Sequence, residues 1–325
     1  MRLKPNRALS LAGRGALNLL TTRPLCVSFE VTHACNARCK HCHLGGEPPE
    51  EKRVDARTYA SLARQLKPVV TLVSGGEPLL RDDLEDIVGS IRQPNGPPII
   101  ALTTNGWLLS KERYMSLRRA GVDEFSISFD YPDQRHDAFR GIQGLYARIE
   151  AFARDLDGTG NRGVTLSCVI QRDNFRDIPG LIERAQAWGV PLNFSSYTWL
   201  RTKNKDYMLR KEDMPEFRRM VDYVVAFRKK NGVVRTSEYV FRRMIEYFEN
   251  GQLADCRAGV RFCIVNPDGT FSPCGLIMRQ YRTLQEVRDK FVKSNTCVDC
   301  YTSIRAGTER PIKYQMSDNI GQWRK

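Results

Sequence analysis

A repeated change of hydrophobic period limits what this chain can fold into. Six short runs rich in β-branched and apolar residues, at 25–31, 69–74, 98–103, 124–129, 163–170 and 191–195, alternate with helical patterns at 55–66, 82–92, 110–120, 143–157 and 177–188. In the last helix Ile178, Leu181, Ile182, Ala185 and Trp188 share one face. Strands alternating with helices imply right-handed crossovers and a parallel sheet. The expected fold is therefore α/β, a partial (β/α)6 TIM-like barrel, and the Val/Ile-rich runs fit strands covered on both faces. Such barrels carry their working residues in the loops that follow the strands.

The loop after the first strand holds Cys35, Cys39 and Cys42, with His33, His41 and His43 beside them. Three thiolates on so short a loop can turn inward onto one small inorganic core. A four-iron four-sulfur cube held this way keeps one iron corner open to a ligand that is not protein. Structural zinc is the alternative, since Cys/His mixtures complete tetrahedral sites. The second strand runs into Ser74, Gly75, Gly76, Glu77 and Pro78. The glycines let backbone groups approach a ligand, the carboxylate can accept from an ammonium, and proline fixes the exit.

Beyond residue 200 the pattern changes. Asp213 and Glu216 open a helix whose apolar face carries Phe217, Val221 and Val224, and a second helix covers 238–249. The turn Asn266, Pro267, Asp268, Gly269 predicts a hairpin between 262–265 and 270–272. Around it stand Cys256, Cys274, Cys297 and Cys300, a complete four-thiolate set for a closed cluster or for zinc. The expected division is a basic leader at 1–24, a barrel core at 25–200, a helical connector at 201–250 and a cluster unit at 251–325. The leader is weakly amphipathic, and its two glycines favour capping the barrel's bottom over lying on a membrane.

Ten cysteines without an export signal argue for a reducing compartment, where clustered thiols are metal ligands more often than disulfides. A cytoplasmic location is expected, with contact at the inner membrane face as an alternative. No apolar run approaches a membrane span. The net charge of +14 is partly local. Residues 1–29 hold five basic residues and no acid, while Arg201, Lys203, Lys205, Arg210 and Lys211 face only Asp206. Such excess suits an anionic partner or simply a solvated basic surface, and no nucleic-acid signature supports that class of partner.

The pairing of Cys35-x3-Cys39-x2-Cys42 with Gly75-Gly76-Glu77-Pro78 resembles the hallmark of the radical S-adenosylmethionine (SAM) superfamily. The resemblance implies that SAM takes the open iron through its amino and carboxylate groups. Contact with the amino group then falls on Gly75, Gly76 and Glu77, and a hydrogen bond to adenine on His41. Thr103 to Gly106 and Ser126 to Asp130 extend the match, so Ser128 and Arg140 are the expected partners of the SAM carboxylate and ribose. Asn105 and Asn174 are looser candidates at neighbouring strand ends. The four later cysteines look like a twitch domain, the shortened relative of the SPASM domain, with one auxiliary 4Fe-4S cluster. Cys263 is the reserve ligand, and Cys26 and Cys168 read as buried hydrophobes.

The resemblance further implies reductive cleavage of SAM to a 5′-deoxyadenosyl radical that takes hydrogen from a small-molecule or lipid substrate. A net oxidation aided by the auxiliary cluster follows, with a low-potential electron donor such as flavodoxin or ferredoxin. Peptide maturation of the SPASM/twitch type is the alternative substrate class, and a non-catalytic zinc protein the alternative of another kind. No side chain is singled out as a catalytic acid or base.

Overall fold

Six parallel strands form where the period-2 runs lie: β1 Cys26–Thr32, β2 Val70–Gly75, β3 Ile99–Thr104, β4 Glu124–Ser128, β5 Val164–Ile170 and β6 Leu192–Ser196. They come from a computed structural model that describes residues 4–46, 48, 50–93, 96–156, 163–277, 279–311 and 314. Helices α1 Pro5–Leu20, α2 Ala56–Leu66, α3 Leu84–Ile91, α4 Lys111–Ala120, α5 Arg135–Arg140, α6 Leu145–Asp155 and α7 Ile178–Ala187 precede or connect these strands. Their starts follow local chemistry. Asp55 accepts from the Thr58 amide at 2.9 Å and Ser110 from that of Arg113 at 3.1 Å, caps worth about 1 kcal/mol each. The expected helix at 143–157 ends at Asp155, and residue 157 lies outside the described residues.

The outer sheet face packs under the helices. Phe29 meets Tyr59 of α2 edge-on at 5.4 Å, and Phe125 lies 5.0 Å from Tyr114 of α4. The inner face is different. Ser74, Thr103, Ser126, Ser128, Ser167 and Ser195 recur at alternate positions and are only half-buried, and hydroxyl pairs Ser28–Ser74 and Ser126–Ser167 close at 2.7 Å. Coverage on both faces, expected from the Val/Ile runs, thus holds for β1 but not for β2, β3 or β4. Side chains this small and hydroxylated make the inner face of the barrel polar.

Beyond β6 come α8 Met214–Lys230 and α9 Glu238–Asn250, then the hairpin β7 Phe262–Val265 and β8 Phe271–Ser272, α10 Leu284–Lys290 and α11 Ser303–Thr308. The hairpin joins the barrel sheet: β7 runs parallel to β1, with Cys26 opposite Phe262 and Phe29 opposite Val265. The sheet order is β6-β5-β4-β3-β2-β1-β7-β8. Helix α1 forms despite Gly13 and Gly15 because tertiary partners fix it. Asn18 donates to the carbonyls of Pro24 and Lys67 at 2.8 and 2.9 Å, and Arg7 pairs with Asp123 at 2.6 Å. These partners sit just before β1, β2 and β4, so α1 lies across the strand starts. Among the described residues no helix is long and apolar enough to cross a membrane.

Candidate functional site

All the strands of the barrel end at one mouth, and the first cysteine loop is fastened there by its backbone. Cys35 and Gly46 exchange N–H···O bonds of 3.0 and 2.8 Å, while the amides of Arg38 and Lys40 donate to the carbonyls of Arg140 and Phe139 at the end of α5. The Cys35, Cys39 and Cys42 side chains are half-buried and electrostatic neighbours. Burial pushes the Cys35 thiol up to about 11. Burial also raises Cys39, against the pull of the Arg140 guanidinium, whose Nη1 lies 3.6 Å from its sulfur.

The Gly-Gly-Glu-Pro turn abuts this loop. A Cβ on Gly75 would stand 2.1 Å from the Thr32 carbonyl oxygen, and one on Gly76 would stand 2.0 Å from that of Ala34. The Gly76 and Glu77 amides donate to those same oxygens. Only glycine allows the two backbones to touch here. Glu77 is fully buried, and its carboxylate accepts from the Thr104 hydroxyl at 2.8 Å and from the amides of Leu79 and Asn105 at 3.1 and 2.7 Å. Burial pushes it up to about 7. Its oxygens already bind the chain's own donors, so Glu77 locks β2 to β3. Asn105 donates to Asn36 in the cysteine loop at 2.8 Å.

His41 stacks on Phe139 at 4.8 Å, and burial with the nearby Arg140 charge pushes it down to about 3. The imidazole is neutral, and its buried Nδ1 has no hydrogen-bond partner among the described residues. Ser128 is half-buried at the end of β4. Arg140 is buried and paired with Asp130, Nε and Nη2 lying 2.8 and 2.5 Å from Oδ2. Although burial opposes it, that guanidinium holds Asp130 below its ordinary range. Asn174 spends its amide on the carbonyls of Asp130 and Val169 and its oxygen on the Gln171 amide. It is a clamp on the turn after β5.

The second thiol set assembles from distant segments. Cys256 and Cys297 lie close enough for each thiol to shift the other's titration, Cys297 downward, and Cys300 neighbours both Cys274 and Cys297. Beneath them Arg305 of α11 is fully buried, donating to the carbonyls of Cys300, at 2.5 Å, and Ala254, and to Glu309 at 2.6 Å. Cys263 is fully buried in β7, where Cys26 is its sulfur neighbour. Among the described residues no three His, Cys, Asp or Glu side chains are arranged for a single metal ion. Zinc draws its sulfurs to about 2.3 Å from one centre, whereas a cube distributes them over separate irons.

Sequence reasoning missed the residues joining the two sets. Glu30, buried on β1, lies 3.0 Å from Nε2 of His33 and 3.3 Å from Nη2 of Arg201, and Nε of Arg201 donates to the Gly275 carbonyl. His33 is two residues before Cys35, and Gly275 follows Cys274. Arg201 was visible only as one charge in a basic run.

Comparison with known proteins agrees with this arrangement. Residues 29–185 match the Radical SAM superfamily model. The chain is 26% identical to the AdoMet-dependent heme synthase of Nitratidesulfovibrio vulgaris, over 90% of both chains. It is 30% identical to the PqqA peptide cyclase of Gluconobacter oxydans, over 78% of this chain and 71% of that one. Streptococcus suis SuiB bound to its precursor peptide SuiA superposes with a TM-score of 0.64 at 16% identity, over 84% of this chain and 65% of that one. From the paired motif, the parallel barrel and these relatives together, the chain belongs to the radical SAM superfamily, whose 4Fe-4S cluster and SAM it shares, and it ends in a twitch/SPASM-like unit.

Proposed function

We propose that this enzyme oxidises an anionic small molecule held in the lumen between its two thiol sets. Cys35, Cys39 and Cys42 hold the SAM-binding cluster, and Cys256, Cys274, Cys297 and Cys300 hold a closed auxiliary one. The observation that carries this reading is the Arg201 bridge, which ties Glu30 beside the first set to Gly275 beside the second. The residues fit the groups: three thiols leave one iron corner vacant, His41 presents an unpartnered buried nitrogen, and Gly75 and Gly76 keep side-chain bulk off the turn. When bound, cluster and SAM supply one-electron chemistry able to take hydrogen from an unactivated C–H.

The chain's own residues position and exclude. His41, neutral and stacked on Phe139, would offer its unpartnered Nδ1 to the adenine. Ser128 is available to the SAM carboxylate and ribose; Arg140, held by Asp130, sets the charge beside Cys39. Glu77, Asn105 and Asn174 fix the strand ends that shape the pocket. The sequence divides into a leader at 1–24, barrel at 25–200, connector at 201–250 and cluster unit at 251–325, served by a donor of the flavodoxin or ferredoxin type. Among small anions, tetrapyrrole carboxylates are the class suggested by the heme-synthase relatives. A peptide substrate is the second reading, favoured by the resemblance to the PqqA peptide cyclase.

Anaerobic reconstitution tests the assignment. About eight irons per chain and reductant-dependent 5′-deoxyadenosine are expected, with Cys39→Ala losing SAM cleavage. Stoichiometric zinc without SAM cleavage overturns it.

A further inference from the structure

Between β6 and α8, residues 197–213 cross the mouth as a strap held at several points. Arg201 reaches Glu30 and Gly275, and the Tyr207 carbonyl accepts from the Arg172 amide at 2.9 Å. The Tyr207 ring meets Phe139 edge-on at 6.4 Å, next to His41. Internally, the Tyr197 hydroxyl bonds to Thr202 and to the Asn204 carbonyl at 2.8 and 2.9 Å. The strap is thus a shaped wall resting on both thiol units.

On this wall the ammonium groups of Lys205 and Lys203 lie 4.4 and 5.4 Å from the centroid of the Trp199 ring. Both lysines are exposed, and Lys203 holds a left-handed backbone with φ +57°, a conformation that costs energy for any residue with a Cβ. Among the described residues neither ammonium has an ion pair. Two like charges sharing one indole repel each other, and the ring's quadrupole offsets only part of that. An anion bearing more than one negative group would relieve the repulsion at both.

We propose that Lys203 and Lys205, presented on Trp199, bind carboxylate groups of a tetrapyrrole-sized substrate at the lumen rim, and that Arg201 positions the strap that carries them. The inference rests on the reading that substrate lies between the two thiol sets. It is tested on the reconstituted holoenzyme by titrating a free-base porphyrin carrying four carboxylates and following its absorbance. K203Q/K205Q should weaken binding about tenfold or more, K203R/K205R should restore it, and Lys293→Gln, far along the chain in the cluster unit, should leave it unchanged. Wild-type binding should weaken with added salt, and a ring carrying four quaternary ammonium groups should not bind. Unchanged affinity in K203Q/K205Q, equal binding of the cationic ring, or no wild-type binding of the carboxylate ring overturns the proposal. Uncoupled SAM cleavage by the wild-type protein is read in the same preparation. Its loss sinks the functional reading, whereas its presence beside any of those three results sinks this inference alone.

Discussion

The two thiol sets solve the same problem by opposite means. The first lies on one short loop, Cys35 to Cys42, whose shape is fixed by backbone bonds to Gly46, Phe139 and Arg140. Its sulfurs remain half-buried. The second collects sulfurs from between 256 and 300, and Arg305 beneath it is wholly buried. A loop of local origin can leave one side free for a ligand. The set assembled by tertiary packing has Cys274 and Cys300 buried and Cys256 and Cys297 half-buried, with a buried cation compensating its thiolates. A free side suits a site that must admit SAM, and deeper burial of two sulfurs over a cation suits one that passes electrons.

The comparison breaks most sharply at the cysteines themselves. Cys39→Ala should abolish SAM cleavage, while Cys274→Ala should lose about four of about eight irons and product formation but retain cleavage, read as 5′-deoxyadenosine. Equal loss of cleavage in both would erase the division of labour. Next is Arg305→Leu, which strands two carbonyls and leaves the Glu309 carboxylate with only the Arg257 amide. It should cost about 3–5 kcal/mol, measured by thermal unfolding, and iron should be lost from the second set first.

Acid should act on the first region. Burial pushes His136, beside Asp130, down to about 4. Because the folded pKa lies below that of a free imidazole, the unfolded chain takes up the proton first as pH falls. Stability is therefore full above about pH 6.5 and lost toward pH 4, by on the order of 3 kcal/mol. Denaturant titrations of the cluster-free protein should show that slope, and His136→Asn should flatten it. The smallest effect is expected at Asn105→Ala, which removes the bond to Asn36. About 1 kcal/mol is expected, with slower cluster assembly at the first set only, followed by visible absorbance.

Much of this was legible early. The six strands and the connecting helices 55–66, 110–120 and 177–188 follow their sequence periods to within a residue or two, because alternation and helical spacing are local properties. Helix α5 escaped notice, since Arg135–Arg140 is too short for a period to emerge. The expected double coverage of the strands failed on the inner face, where Ser74, Ser126 and Ser167 were read only as parts of runs. Glu77 suggested a ligand contact from its motif, and its satisfaction by Thr104 and Asn105 depends on where β3 ends.

By itself the sequence determined the parallel barrel, the open thiol triplet and the glycine turn, all set by spacing along one short stretch of chain. Only the tertiary structure decided that β7 pairs with β1, that Arg305 lies under the second thiol set, and that Arg201 spans Glu30 and Gly275. Those contacts join residues far apart in the chain, and their partners are chosen by burial and charge after the elements pack, which no local pattern records.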